Sequence, residues 1–343
     1  MKVHILDDWF DTLRGLPCFE KLAGHDVTVW TDHQPDPVLL AKWVKDAEAL
    51  VLFRERTKIG ASLLELLPNL KLISQRSVYP HIDVDACTKY HVLLCSNMHS
   101  DTPSYAAAEH TLALVLASYR QIPEQVASLK AGTWQMGVGR TLRGRTLGLY
   151  GYGRIANAVA GYAAALGMNV HFWGSEDGRA RALEDGRIVP ASRSEFFKSS
   201  DVVSLHVRLK PETRGIITAD DLAAMQSRSL LVNTSRSGLI EKGALEAAVA
   251  EGRIHAAVDV FDEEPLTDTR HTLLTSPNVI ATPHSAGVTH EAILNMREWA
   301  ADQWIEIFKG KVPPRLINPE VWPRYQDRFQ EKLGFRPADL PAR

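Results

Sequence analysis

Apolar runs of strand length alternate with helical patterns along nearly the whole chain, which predicts an α/β protein whose parallel sheets are covered on both faces. The alternation comes in two blocks, separated by a long apolar helical stretch. A length of 343 residues agrees, since it corresponds to about two domains at roughly 150 residues each. A hydrophobic content of 45% against 23% charged is that of an ordinary globular chain able to bury two cores.

The first block reads as strands over 3–6, 27–30, 49–53 and 70–74, with helical patterns over 38–46 and 62–67, the second closed by Pro68-Asn69. Pro103-Ser104 opens the long apolar helix over 105–119, and Pro123 is expected to stop it. The second block reads as strand 146–150, helix 154–166 and strand 169–173, then strands over 202–206, 229–233, 256–260 and 278–281. A last helix is expected over 291–309, before Val312-Pro313-Pro314. The remainder, 319–343, holds prolines among charges and aromatics and is expected to be a surface tail, with Trp322, Tyr325 and Phe329 docking either on their own subunit or on a partner.

Lys+Arg 39 against Asp+Glu 41 leaves a net charge of -2, which gives no field to hold nucleic acid or an anionic membrane. Cys18, Cys87 and Cys95 form no CxxC pair, which argues against a disulfide scaffold or thiolate zinc cluster and for a reducing cytoplasm. No metal site is expected. The opening Met1 to Leu6 runs straight into Asp7 and Asp8, unlike a signal peptide. No apolar run approaches the roughly 18 residues of a membrane span.

The most local signal is Gly151-Tyr152-Gly153-Arg154-Ile155-Ala156, a G-x-G-x-x-A turn between a strand and a helix. The first glycine permits the tight turn, the second lets backbone approach a pyrophosphate, and the small third residue lets helix and strand pack closely. The first helical N–H groups then face the phosphate charge. An NAD site usually adds an acid at the end of the next strand, yet Gly174-Ser175 stand there and Glu176 comes two places late. Two readings stay open: Ser175, Arg179 or Arg181 receives the 2′-phosphate of NADP, or Glu176 reaches the ribose of NAD.

Three further segments follow strands in order: Val232-Asn233-Thr234-Ser235-Arg236-Ser237-Gly238, Asp259-Val260-Phe261-Asp262-Glu263-Glu264-Pro265 and Thr282-Pro283-His284-Ser285-Ala286-Gly287. With the glycine turn, these segments resemble the D-isomer-specific 2-hydroxyacid dehydrogenase family over nearly the whole chain. Reducing a 2-oxo acid, the reaction that this resemblance implies, needs a cation for the carboxylate, a proton donor at the ketone oxygen and a hydride donor. Arg236 offers a planar fork for a carboxylate. His284 suits acid/base work near neutral pH, and Glu264 nearby would orient it and favour its charged form.

The resemblance implies a Rossmann-type doubly wound cofactor domain over 102–288. It also implies a smaller flavodoxin-like substrate domain over 1–101 and 289–318, with the active site in a cleft between the two. It assigns Arg236, Glu264 and His284 as the catalytic set. Gly151, Tyr152, Gly153, Arg154, Ile155, Ser175, His206, Thr234, Ser235, Asp259 and Ala286 fall at cofactor positions, and the cofactor is NAD or NADP. A homodimer pairing through the cofactor domain is implied too.

Two segments depart from the family pattern. The loop after the fourth strand is commonly glycine-rich, but here reads Gln75-Arg76-Ser77-Val78-Tyr79-Pro80. The following His81-Ile82-Asp83 keeps the register, placing Ser77 and Val78 against the substrate carboxylate and adding Arg76 and Tyr79 as substrate-binding positions. Either Arg76 and Tyr79 recognise a larger or doubly charged acid, or Pro80 only stiffens the loop. Arg54 ends another strand, and Arg208 replaces a usual proline and would face either a phosphate or solvent.

The reading is an NAD(P)-dependent 2-hydroxyacid dehydrogenase. One alternative is a dinucleotide-sensing corepressor on the same scaffold. Others are a phosphoglycerate-type enzyme, or a formate or phosphite dehydrogenase; Glu264 argues against formate, where glutamine pairs with the histidine.

Overall fold

The structure is a computed structural model that describes the chain except residues 10, 12, 16, 54, 77, 97–104, 135, 290–310, 313–315 and 341–343, and the side chains of 17, 18, 21, 76, 332 and 333. The chain divides into two compact units, Met1–Pro103 with His290–Arg343, and Ser104–Thr289. Among the described residues, no helix is long and apolar enough to cross a membrane.

The first unit holds strands β1 (Lys2–Ile5), β2 (Asp26–Val29), β3 (Ala49–Phe53), β4 (Leu72–Arg76) and β5 (Leu93–Ser96). They form one parallel sheet in the order β2-β1-β3-β4-β5, a flavodoxin-like order. Successive residues of β3 serve opposite faces: Ala49 and Val51 join one core layer, Leu50 and Leu52 the other. β5 adds a strand to the four read from the sequence.

The C-terminal segment corrects the expectation of a surface tail. Leu316 bridges Cys95 at the edge of β5, and the buried Asn318 amide continues the pairing. Its Oδ1 accepts the Leu94 N–H and its Nδ2 donates to the Val92 carbonyl, both at 2.8 Å. The helix Trp322–Leu333 follows, with Trp322, Tyr325 and Phe329 buried against Val3, Ile5 and Leu93. Their spacing of three and four residues makes one apolar stripe, and the prolines nearby cap the helix instead of preventing it. The helix expected over 291–309, the opening Pro103-Ser104, Arg54 and Ser77 lie outside the described residues.

The second unit holds β6 (Thr146–Tyr150), β7 (Asn169–Trp173), β8 (Val202–Leu205), β9 (Leu230–Asn233), β10 (His255–Val258) and β11 (Val279–Ala281). They pair in parallel in the order β11-β10-β9-β8-β6-β7. After β6 the chain crosses to β7 on one side and then to β8 on the other, so the topological switch point lies between β6 and β8. The helices Ala106–Arg120 and Arg154–Ala165 cover one face, through Leu114, Val115, Val159 and Ala163. Phe196, Phe197, Leu222 and Leu245 belong to the core on the other. Pro123 does not simply end the long helix. Gln121 turns the chain at φ 53° and Pro123 sits in the first turn of a second helix, Ile122–Lys130, where a missing N–H costs nothing.

Trp322 is 1% exposed, so Trp322→Ala should cost about 3–5 kcal/mol, as for other buried tryptophans. A lowered urea midpoint for unfolding of the first unit checks this, and an unchanged midpoint would return the segment to the surface.

Candidate active site at the carboxyl ends of the second sheet

Because all six strands are parallel, the segments that leave β6, β9, β10 and β11 emerge on the same edge. The glycine turn leaves β6. Gly151 has φ 126°, and a Cβ there would stand 2.5 Å from the His206 carbonyl oxygen. Glycine is therefore forced by the chain passing beside it as well as by the turn. Gly153 differs: it precedes the first helical residue, makes no side-chain cap, and an added Cβ would meet no atom within 4 Å. Its open side and the first-turn amides of Arg154–Ala165 fit the approach of a pyrophosphate. Ala156 is fully buried, as close helix–strand packing requires. Ile155 is exposed, and Arg154 opens the helix.

Next to the turn, the Gly151 N–H donates to the Trp173 carbonyl at 2.7 Å, tying it to the end of β7. The Ser175 hydroxyl accepts from the Gly178 N–H at 3.2 Å, so it serves as the N-cap of the helix Glu176–Glu184. Glu176 and Asp177 are exposed in that helix's first turn. Arg179 stacks its guanidinium 4.4 Å above the Trp173 ring, and Arg181 lies 5.8 Å from the centre of Tyr152. The Tyr152 hydroxyl donates to Asp185. Arg208 is exposed.

The His206 ring pairs with the Ser204 hydroxyl at 2.9 Å, and burial pushes its pKa down to about 4, so it is neutral near pH 7. Thr234 pairs with the Thr111 hydroxyl at 2.8 Å, and the Ser235 hydroxyl donates to the Leu205 carbonyl at 2.7 Å. These polar groups tie neighbouring segments together.

Asp259, the first residue after β10, is completely buried and gathers the loop after β11. Its Oδ1 accepts from the Thr282 hydroxyl at 2.6 Å and the Ser285 N–H at 2.8 Å, and its Oδ2 accepts from the Ala286 N–H at 2.8 Å. Ala286 thus meets the carboxylate through its backbone. Between these anchors, His284 is held at φ 49°, a left-handed conformation uncommon for a residue with a Cβ.

His284 Nδ1 lies 2.5 Å from Glu264 Oε2, and Glu264 Oε1 accepts the Phe261 N–H at 2.9 Å. Burial would raise the Glu264 carboxyl. The His284 contact, the Phe261 N–H and the positive charge of Arg236 outweigh it and hold the group below the ordinary carboxylate range. Its share of stability is therefore present above that range and lost as pH falls through the lowered value. Arg236 is half-buried in extended backbone, its Nη1 donating to the Ser235 carbonyl at 2.6 Å, while Asn233 Nδ2 holds the Arg236 carbonyl at 2.8 Å.

In the first unit, Arg76 ends β4 and Gln75 Nε2 donates to the Val78 carbonyl at 3.0 Å. Tyr79 packs against that unit's apolar core. Among the described residues, no group of three or more His, Cys, Asp or Glu side chains is placed to hold a metal ion. Sequence reasoning passed over His110, Thr111 and Thr282, which touch Asp259 or Thr234. Their only signal was a polar pair inside an apolar helix and a threonine beside Pro283.

Residues 112–286 match the D-isomer specific 2-hydroxyacid dehydrogenase, NAD binding domain. The chain is 37% identical over 317 residues to a glyoxylate reductase of Aeropyrum pernix, covering 87% of this chain and 91% of that one. It is also 37% identical to the D-3-phosphoglycerate dehydrogenase of Methanocaldococcus jannaschii, but spans only 55% of that longer protein and 86% of itself. Among solved structures, a phosphoglycerate oxidoreductase of Vibrio cholerae superposes with a TM-score of 0.86 at 43% identity, over 90% of this chain and 99% of that one. A D-lactate dehydrogenase of Aquifex aeolicus, complexed with NAD and lactic acid, gives 0.73 at 27% identity, over 92% and 99%. With a glycine turn, an arginine and a histidine–glutamate pair on one sheet edge, and relatives of this likeness over most of its length, the chain belongs to the D-isomer specific 2-hydroxyacid dehydrogenase family.

Proposed function

We propose that the protein interconverts a small 2-oxo acid and its D-2-hydroxy acid, with His284 as acid/base, Glu264 as its partner and Arg236 on the carboxylate. The observation that carries this reading is the 2.5 Å contact of His284 Nδ1 with Glu264 Oε2, on the sheet edge that also bears Arg236 and the glycine turn. We assign dinucleotide binding to the second unit, through Gly151, Gly153 and the amides after them, and substrate recognition to the first. The bound nicotinamide supplies or accepts the hydride. Glu264 fixes the proton on Nδ1, so Nε2 is the ring atom assigned to the proton exchanged with the substrate oxygen. Arg236 offers its fork to the carboxylate, which orients the neighbouring carbonyl. The names of the relatives make glyoxylate, lactate and phosphoglycerate the first acids to test. Cys87 and Cys95 are buried free thiols, which agrees with a reducing cytoplasm.

NADP(H) is the favoured dinucleotide. No carboxylate ends β7, the exposed Ser175 hydroxyl only accepts in its capping bond and keeps its own proton to donate, and Arg179 is held on the Trp173 face beside the glycine turn. A phosphate there would gain a charge-assisted partner already fixed in place. The exposed Glu176 is the group that would make NAD the choice instead.

A second copy of the chain is the proposed partner. Ile122, Val126, Leu129, Trp134 and Val138 expose apolar surface on the helix Ile122–Lys130 and the loop after it. That loop is pinned to the helix, with the Ser128 hydroxyl donating to the Thr133 carbonyl at 3.2 Å. Several large apolar side chains exposed on one helix and its following loop suit an interface. Light scattering should return twice the 38.1 kDa chain mass, and Trp134→Glu should shift it toward one chain; a monomer in the unaltered protein would end the assignment.

A matrix of 2-oxo acids against NADH and NADPH tests the activity. His284→Ala should lower kcat by at least about 100-fold, as for loss of a general acid, with dinucleotide affinity nearly kept. Full turnover in that variant would sink the assignment, and dinucleotide binding without turnover on any acid would favour a sensor. For the dinucleotide, Arg179→Ala should weaken NADPH by about ten-fold, as expected for a lost bond to a charged group, and leave NADH unchanged. Tighter binding of NADH than NADPH to the unaltered protein would overturn the preference.

A further inference from the structure

We propose that His110 is a positioning residue for the acid/base loop, acting through Thr282 and Asp259. His110 lies in the helix Ala106–Arg120, whose other contacts with the sheet are largely apolar. Its Nε2 is 3.0 Å from Thr282 Oγ1 and 3.6 Å from Asp259 Oδ1. The Thr282 hydroxyl donates its proton to Asp259 Oδ1 at 2.6 Å, so toward His110 it accepts, and the ring must carry its proton on Nε2. The chain of bonds continues from Asp259 to the Ser285 and Ala286 N–H groups, which flank His284 on its C-terminal side.

The next residue repeats the arrangement on another loop. Thr111 pairs with Thr234 at 2.8 Å, two residues before Arg236. Two consecutive helical side chains thus grip the loops that carry Arg236 and His284. Apolar packing alone would hold the helix on the sheet; the donor at His110 adds a second bond to the Thr282 oxygen, whose proton already points at Asp259. Among the described residues, the polar groups in contact with His110 are the Thr282 hydroxyl and the Asp259 carboxylate. With the donor in place, the Thr282 oxygen is held from two sides; without it, the bond to Asp259 alone remains and the loop loses a restraint.

The kinetic arm of the test rests on the reading of His284 given above; the spectroscopic arm does not. His110→Phe, which keeps a ring but removes the donor, should lower kcat with glyoxylate about ten-fold while the NADPH and NADH dissociation constants stay within about two-fold, the pattern of a misplaced acid/base group. His110→Gln, whose amide restores an N–H, should regain most of that loss, and Thr282→Val should reproduce it. In proton NMR, the downfield resonance of the His284–Glu264 hydrogen bond, identified by its loss in Glu264→Gln, should move in His110→Phe and Thr282→Val and stay in His110→Gln. Unaltered kcat and resonance in His110→Phe would overturn the proposal, as would equal losses in the Phe and Gln variants. If His110→Phe does not fold, Thr282→Val against His110→Gln decides alone. If the unaltered protein turns over no 2-oxo acid, the functional reading fails and the resonance still decides the role of His110.

Discussion

A carboxylate removed from water has to find donors or cost several kcal/mol, and Asp259 meets that requirement with the loop that carries His284. Thr282, Ser285 and Ala286 all donate to it, so the path of the chain on both sides of His284 is set before the imidazole makes any contact of its own. The left-handed backbone at His284, which costs of order 1–3 kcal/mol in a residue with a Cβ, persists because its neighbours over-determine it. Glu264 then acts on a ring whose base is already fixed.

The same sheet edge explains why the remaining chemistry collects where it does. Parallel strands send every following loop to one side, and the switch point between β6 and β8 opens a crevice there. Gly151 lets the turn after β6 pass the His206 carbonyl, while Gly153 leaves the helix N-terminus open. Net charge conceals this. A chain at -2 overall still sets Arg179 and Arg181 on aromatic faces beside the turn and Arg236 on the same edge, local cations suited to small anions.

How much was legible in the sequence follows from the range of each interaction. The glycine turn is local, so its spacing between a strand and a helix could be read directly. The same holds for β6 and β7, whose bounds match the expected 146–150 and 169–173. Arg236, Glu264 and His284 were recognisable as motifs, and the structure brings the last two into contact. By contrast, Asn318 pairs with Leu94, 224 residues away, and no periodicity announces such a bond. The aromatic stripe of Trp322, Tyr325 and Phe329 was visible but sat among prolines, and proline frequency outweighed helical spacing. Polar groups such as Ser175, Ser235 and Asp259 show a further gap. The resemblance set them at cofactor positions, but could not show that Ser235 donates to a carbonyl, that Asp259 is filled by the loop after β11, or that Ser175 caps a helix.

Two carboxylates from the end of one strand therefore divide the work, and burial decides which does what. Asp259 stands immediately after β10, out of water and on a short side chain, where backbone N–H groups reach it and hold it. Glu264 comes five residues later, its longer side chain about one-third exposed, anchored by one oxygen to the Phe261 N–H and turned with the other to His284. Exchanging the two would fail on both counts. A longer acid at 259 would push the loop away from the strand, and a shorter one at 264 would not span from its own backbone anchor to the imidazole. The buried group sets the backbone and the half-exposed one sets the ring.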